Sequence, residues 1–218
     1  DKNKFTAVIF SAGMARRLYP VTARLPKNLI KIDQNRTILD LQIEALIENS
    51  LVDEIVIVVG FEHQQVREYL FNNYPELSIT FILNPFYEVS GNIISSWLAL
   101  REIQGNVITI NGDDVFSERI ISMLIKDDRD IVLSISKSDT YDEDDMKVCI
   151  GSNQSVIEKI GKDIDPKRAD AESIGIIKFS QAGIDLFIRT YNQIIEEDNS
   201  NIGLFYLSII QRLIDDGI

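Results

Sequence analysis

We predict an α/β fold for this chain of 218 residues: a Rossmann-like, mostly parallel mixed sheet with helices on both faces and a small β-rich layer added late. In the first 135 residues, short apolar runs rich in β-branched residues alternate with helical patterns. Small or polar residues follow these runs at Gly13, Gly60, Asn84 and Asp113. Carboxyl ends of parallel strands form a ligand crevice, so these four residues are expected to lie near each other.

The predicted elements follow from the periodicity of apolar residues. Strands are expected over residues 5–10, 54–60, 78–84, 107–111 and 131–135, and early helices over 38–48 and 64–70. Further helices are expected from about residue 92 and over 118–125. The late layer comprises strands 147–151, 156–160 and 174–179, followed by helices near 182–195 and 202–213. No Gly-, Ser- or Pro-rich linker divides the chain, which predicts a single domain over 1–218, with halves of about 1–135 and 136–218.

Composition narrows the function classes. The formal net charge is −12, from 34 acidic and 22 basic residues, and this excess of negative charge disfavours nucleic acid and acidic membranes as partners. The single cysteine, Cys149, excludes an internal disulfide and fits a reducing compartment. No apolar run reaches membrane-spanning length and no signal-peptide core follows the first residues, so we expect a cytoplasmic protein. A homo-oligomer is left open.

The stretch from Val8 to Leu29 reads V-I-F-S-A-G-M-A-R-R-L-Y-P-V-T-A-R-L-P-K-N-L, an apolar strand followed by a small-residue turn. Small residues let backbone N–H groups approach a phosphate, and Arg17 and Lys27 add two positive charges. These features predict a pocket for a nucleoside triphosphate. The residues expected to contact the nucleotide here are Ser11, Ala12, Gly13, Met14 and Ala15.

This stretch resembles the L-A-A-G-x-G-x-R-L-x-P-L-T-x-x-x-P-K signature of the sugar-phosphate nucleotidyltransferase superfamily, which includes bacterial phosphocholine cytidylyltransferases. The matching positions are Ala12, Gly13, Arg17, Leu18, Pro20, Thr22, Pro26 and Lys27. Ala15 stands where the family usually has its second glycine, and a left-handed backbone there would cost about 1–2 kcal/mol. The alternative is a surface turn with ordinary basic residues. P-loop and dinucleotide-binding motifs are absent from the sequence.

A second motif, I-N-G-D-D-V-F, begins at Ile110. A carboxylate at the end of a buried strand, beside a glycine that lets phosphates approach, suits Mg²⁺ bound to triphosphate oxygens. We therefore predict Asp113 as the metal ligand and Gly112 as a nucleotide contact. The motif resembles the family's L-G-D-N-x-F, whose aspartate binds magnesium. The alternative is a helix cap, a role that we assign to Asp114 or Ser117.

The segment after the third strand resembles the phosphocholine branch motif N-x-x-Y-x-x-x-N-N-x-x-S. It matches at Asn84, Tyr87, Asn92 and Ser95 and departs at Gly91. The resemblance implies that Asn84 and Gly91 contact the base and that Tyr87, Asn92 and Ser95 face the acceptor. The residue types also predict Asn92 as a helix N-cap. The alternative is an ordinary capped helix with Trp97 in the core, which we prefer for Trp97 itself.

The late layer resembles the acceptor-facing part of such enzymes. The resemblance implies that Lys162 grips the acceptor phosphate and that Glu172 touches its organic part, although a solvated β-ribbon would carry the same residue types. The acidic run 139–145 is expected to form a mobile loop, or to lie over a cationic substrate. The family's second metal-binding aspartate is expected after the last long helix, where Asp215 and Asp216 are poor substitutes.

The family resemblance implies a Mg²⁺-dependent nucleotidyltransferase. It would transfer CMP from CTP to phosphocholine, phosphoethanolamine or a phosphonate, with Arg17 holding the triphosphate and Lys27 lying between the two substrates. One alternative is a sugar-1-phosphate nucleotidyltransferase that uses UTP, dTTP or GTP. Another is a non-catalytic regulatory subunit that binds nucleotide sugars.

Overall fold

The computed structural model describes residues 4–152 and 155–218, and it has the predicted α/β architecture. The strands are β1 (Phe5–Ser11), β2 (Val52–Val59), β3 (Ile79–Leu83), β4 (Asn106–Asn111), β5 (Ile131–Ser136), β6 (Lys147–Ile150), β7 (Ile157–Gly161) and β8 (Ala171–Phe179). The helices are α1 (Ile38–Ile47), α2 (His63–Asn73), α3 (Asn92–Leu100), α4 (Glu118–Ile125), α5 (Gln181–Glu197) and α6 (Leu207–Asp215). None of the helices among the described residues has the length and apolar character needed to span a bilayer.

All eight strands form one mixed sheet. Strands β3, β2, β1 and β4 lie side by side and are parallel, so their carboxyl ends share one edge. Strand β8 runs antiparallel to β4 and also pairs with β5 and, through Ala171 and Glu172, with β6. Because β8 joins both sets of strands, it brings the late β-rich layer to the edge where the parallel strands end.

The two faces of the sheet bury separate hydrophobic clusters. Successive β1 residues alternate between them: Val8 and Phe10 pack toward α3, α5 and α6, whereas Ala7 and Ile9 pack toward α1, α2 and α4. Every residue of β1 is buried, as expected for a central parallel strand covered on both faces. Helix α1 therefore lies directly against the parallel strands.

Helix α1 begins with a capping box. The Thr37 hydroxyl accepts a hydrogen bond from the Asp40 N–H, and the Asp40 carboxylate accepts one from the Thr37 N–H. Two tyrosine hydroxyls also donate to Asp40: that of Tyr69, in the second half of α2, and that of Tyr74, just after this helix ends. One buried carboxylate thus fixes α1 relative to α2.

The structure corrects three predictions about helix ends. The last helix begins at Leu207, not 202, because residues 199–203 form a 3₁₀ turn and Leu204 is extended against Gly91. Gly91, not Asn92, occupies the N-cap position of α3, and the Asn92 side chain accepts a hydrogen bond from the Tyr206 N–H instead. Ser117 occupies the N-cap position of α4, but its side chain caps no N–H there.

Candidate active site

A cleft of about 320 Å³ lies at the edge where the parallel strands end, within the size range of small-ligand sites. Ten predicted site residues line it: Ala12, Gly13, Arg17, Asn84, Tyr87, Gly91, Asn92, Ser95, Gly112 and Asp113. Those at the ends of β1, β3 and β4 form what we call the parallel side. A second group, which we call the antiparallel side, consists of residues 142–147 with Lys162 and Glu172; of these, Met146 lines the cleft itself.

The turn after β1 has the open backbone that the sequence predicts. No atom lies within 4 Å of where a Gly13 Cβ would be, so space remains beside this backbone. Ala15 has φ 48° and ψ 45°, the left-handed conformation that a glycine would adopt without cost. The buried Thr22 hydroxyl donates to the Ala15 carbonyl at 2.9 Å. This bond helps to hold Ala15 in a conformation that costs about 1–2 kcal/mol.

Lys27 forms an ion pair with Asp113, which lines the cleft, although 86 positions separate the two residues in the sequence. Lys27 begins a short 3₁₀ turn after Pro26, and about a third of its side chain is exposed. Arg17 lines the cleft nearby, with 81% of its side chain exposed. The structure therefore brings together the three charged residues that the sequence singled out.

The turn that carries Asp113 is tightly packed. A Cβ on Gly112 would overlap the Phe10 carbonyl, so only glycine fits there. Asp114 is mostly buried, and burial, together with the charge of Asp113, raises its pKa to about 7. The Asp114 carboxylate faces Gly175 and Asn111. Asp114, one of the two residues predicted to cap α4, is therefore not its cap.

Asn84 lies at the end of β3 and is buried. Its amide nitrogen donates to Ser95 at 3.0 Å and to Ser90 at 3.4 Å, and its oxygen accepts from the Phe86 N–H. Both amide hydrogens are thus engaged, one by the loop and one by α3. Asn84 shapes the cleft wall, and a contact between its side chain and a base stays a prediction.

On the antiparallel side, a buried lysine holds the acidic run 139–145. The Lys147 ammonium donates to the carbonyls of Asp142, Glu143 and Asp145 at 3.0–3.2 Å. Three hydrogen bonds from a buried cation tie the backbone of residues 142–145 to the start of β6, and the mobility expected for the run stays a prediction. The run reaches the cleft through Asp144, which pairs with the cleft-lining Arg17.

The carboxylate of Asp144 lies between two predicted phosphate-binding residues. It is 3.4 Å from Arg17 and 3.5 Å from Lys162. The Lys162 ammonium also lies 5.0 Å from the centre of the Phe205 ring, which lines the cleft. Burial, and then the charges of nearby Asp145 and Asp142, raise the pKa of Glu172. Negative charge is thus concentrated on this side.

Other predicted residues lie at or beyond the edge of the cleft. Ser11 is buried as the last residue of β1, Met14 is partly exposed, and neither of them lines the cleft. Trp97 stacks on Tyr191 at 5.3 Å, which agrees with a packing role. Asp215 ends α6 and Asp216 lies 3.4 Å from Arg212. Among the residues that the structure describes, no group of three or more His, Cys, Asp or Glu could hold a metal.

Sequence reasoning missed several residues that line the cleft, namely Met146, Ser173, Gly175, Phe205 and Tyr206. Gly175 has φ 76°, and a Cβ there would overlap the side chains of Asn111 and Asp114. A glycine inside an otherwise apolar strand was the available signal for this close approach. Met146 and Ser173 reach the cleft through the pairing of β6 with β8. Phe205 and Tyr206 reach it because they lie in the segment just before α6.

Comparisons with known proteins agree with this geometry. Bifunctional protein GlmU of Methanococcus maripaludis (strain C5) is 33% identical over 178 residues, which cover 82% of this chain and 39% of that protein. Choline-phosphate cytidylyltransferase of Streptococcus pneumoniae is 32% identical over 108 residues, or 50% of this chain and 44% of that protein. The chain thus spans less than half the length of either relative.

The solved structure of the inositol-1-phosphate CTP transferase from T. maritima superposes with a TM-score of 0.80 at 22% identity. The superposition covers 99% of this chain and 83% of that one, so the whole fold is shared. The family model described as nucleotidyl transferase matches residues 6–145, which include the turn after β1, the Lys27–Asp113 pair and the acidic run. With the fold and more than half of the sequence in agreement, the chain belongs to the nucleotidyl transferase family.

Proposed function

We propose that this protein transfers a nucleoside monophosphate, CMP from CTP, to a small phosphorylated acceptor and releases pyrophosphate. The observation that carries the proposal is a cleft lined by Gly13, Arg17 and Asp113, with Lys27 paired to Asp113. Two cations, a carboxylate and unobstructed backbone at the ends of parallel strands suit a triphosphate.

The reaction is a single in-line displacement. An oxygen of the acceptor phosphate forms a bond to the α-phosphorus while the bond from that phosphorus to the pyrophosphate oxygen breaks. A phosphate is already nucleophilic at neutral pH, so the site needs no general base. Its task is to hold two anions together and to stabilise the charge on the transferring group. Lys27 serves the approach of the anions, and Arg17 binds the triphosphate and the leaving pyrophosphate.

The residues around Asp113 fit a Mg²⁺ ion shared with the substrate. Mg²⁺ commonly binds one or two carboxylates together with substrate phosphate oxygens, and Asp113 offers a half-exposed carboxylate beside a glycine with no room for a side chain. When bound, the ion would neutralise negative charge on the triphosphate. Asp113 would then exchange Lys27 for the metal, leaving the Lys27 ammonium available to the substrates.

The charge on the antiparallel side supports a cationic acceptor. Asp142 and Asp145 lie near enough to Glu172 to raise its pKa, so an amine or quaternary ammonium there would relieve repulsion among carboxylates. Lys162 would hold the phosphate of the same molecule. Phosphocholine, phosphoethanolamine and aminoalkylphosphonates combine these two charges, and the likeness to choline-phosphate cytidylyltransferase supports this class.

A sugar-1-phosphate nucleotidyltransferase is the second candidate, and the alignment with GlmU over 82% of the chain favours it. The two proposals differ in the acceptor, because a sugar phosphate carries no positive charge for the carboxylates to bind.

Pyrophosphate release separates these candidates. We would cross CTP, UTP, dTTP and GTP with phosphocholine, phosphoethanolamine, aminoethylphosphonate and a set of hexose 1-phosphates. The proposal expects the highest kcat/KM for CTP with an amino-alcohol phosphate or phosphonate. Activity on hexose 1-phosphates alone would replace it with the sugar branch. No release with any pair would favour the non-catalytic nucleotide-sugar-binding subunit.

A further inference from the structure

A buried glutamine on α1 holds the turn that carries Asp113. Gln42 has no exposed surface, and its amide nitrogen donates to the Asn111 carbonyl at 2.9 Å and to the Asp114 carbonyl at 2.8 Å. These two carbonyls stand on either side of Gly112 and Asp113. One side chain therefore bonds to both ends of the four-residue turn.

The chemistry of these contacts permits little substitution. Both partners are carbonyl oxygens, so only a group with two hydrogens in this place satisfies them. Without Gln42 the Asp114 carbonyl would lose this donor, and the Asn111 carbonyl would keep its longer 3.3 Å bond from the Asp114 N–H. Loss of a hydrogen bond to a buried carbonyl is costly. The turn would then shift toward water or toward other donors, and Asp113 would move with it.

Helix α1 is itself firmly placed. The Thr37–Asp40 capping box and the two tyrosines on Asp40 fix its beginning, so Gln42 connects the turn to a rigid support. Gly175 of β8 also packs against the side chains of Asn111 and Asp114, closely enough that a Cβ at this position would overlap them. The position of the Asp113 turn is thus set in part by Gln42, which does not line the cleft.

We infer that Gln42 is a positioning residue for nucleotidyl transfer, because it fixes the Asp113 turn in the place where the carboxylate can bind a metal together with the triphosphate. This inference rests on the proposed function, since it presumes that Asp113 is a metal ligand. Groups that orient a metal ligand from behind are commonly needed for affinity, and their loss weakens metal binding about 10- to 100-fold.

The test compares Gln42→Met with Asn49→Leu. Asn49, just after α1, is also a buried amide, but its nitrogen donates to Glu118 and Ser122 of α4 and not to the Asp113 turn. Both changes remove a buried amide and are expected to lower Tm. Binding of Mn²⁺ in the presence of α,β-methylene-CTP would be followed by the electron paramagnetic resonance signal of free Mn²⁺, which does not depend on turnover.

We expect Gln42→Met to weaken Mn²⁺ binding about 10-fold, while Asn49→Leu keeps the wild-type affinity. Gln42→Asn provides a second variant if Gln42→Met does not fold: it keeps an amide but is too short to reach both carbonyls, and a smaller loss is expected. Asp113→Asn serves as the reference. If Asp113→Asn weakens binding and the Gln42 variants do not, the positioning role is wrong. If Asp113→Asn also has no effect, the proposed metal site itself is wrong.

Discussion

On the parallel side of the cleft, the functional groups stand on the ends of buried strands and on turns packed against them. On the antiparallel side they stand on exposed turns: Asp144 keeps about four fifths of its side chain in solvent, and its ion pair is with the equally exposed Arg17 of the turn after β1. Buried supports favour a single arrangement of charges, whereas exposed ion pairs are easily exchanged for other partners. Under the proposed function, the parallel side would hold the triphosphate in one place, and the antiparallel side would bind the acceptor.

The largest effect should come from a charge on the parallel side. Lys27→Ala is expected to lower kcat about 100- to 1,000-fold and to change the KM for the triphosphate much less, because its charge acts mainly in the transition state. Steady-state kinetics of pyrophosphate release would measure this. Lys31→Ala, an exposed lysine of the same loop, is the control and should behave as wild type. A raised KM with unchanged kcat would assign Lys27 to ground-state binding only.

Asp40, the buried carboxylate that holds α1 against the parallel strands, is expected to make the free energy of unfolding depend on pH. Burial alone would raise the pKa of Asp40, but hydrogen bonds from Thr37, Tyr69 and Tyr74 outweigh it and hold the pKa below its ordinary value. A carboxylate with a lowered folded-state pKa stabilises the protein above the unfolded pKa of about 3.9, and this contribution is lost as pH falls through the folded value.

Asp40→Asn is accordingly expected to lower the free energy of unfolding by about 2–4 kcal/mol at pH 7 and by less near pH 3. Urea denaturation at both pH values would measure the difference. Glu48→Gln, which alters an exposed carboxylate at the end of the same helix, should change stability little at either pH. Equal losses from Asp40→Asn at the two pH values would show that its charge is not the stabilising feature.

The same contrast explains what could be predicted from sequence. Gly13, Gly112 and Asp113 follow apolar runs directly, and strand ends in a parallel sheet meet, so local pattern was enough to place them. Lys27 could be named as a site residue, but its pairing with Asp113 could not, because that contact depends on how the 3₁₀ turn after Pro26 folds back.

The antiparallel side depends on long-range pairing that leaves no local signal. Gly175 reaches Asp114 only because β8 runs antiparallel to β4, and Phe205 reaches the cleft because the chain before α6 is extended against Gly91. A periodic apolar pattern continues through residues 202–213, which is why the helix was predicted to begin too early. Contacts of the backbone with Gly91 outweigh that local preference.

Acceptor recognition should be altered by a smaller change. Glu172→Gln removes one negative charge from the group that includes Asp142 and Asp145, and we expect it to raise the KM for a cationic acceptor about 5- to 10-fold. The KM for the triphosphate should stay unchanged. Glu158→Gln, on the exposed part of β7, is the control. An unchanged KM for phosphocholine would remove Glu172 from the acceptor site and would weaken the case for a cationic acceptor.

The smallest effect is expected from a change of Asp144. It tests whether the exposed ion pairs of the antiparallel side change partners easily. The carboxylate of Asp144 lies within 3.5 Å of Arg17 and Lys162, the two cations that are expected to hold phosphates, so a bound phosphate must compete with it. Exposed ion pairs contribute about 0–1 kcal/mol, which limits the competition to a few-fold in affinity.

Asp144→Asn should therefore tighten pyrophosphate binding about 2- to 5-fold at low salt, and the gain should shrink at 0.5 M salt because screening weakens the pair. Isothermal titration calorimetry with Asp139→Asn as the control would show it. Weaker pyrophosphate binding in Asp144→Asn would mean that Asp144 orients the two cations and does not compete for them.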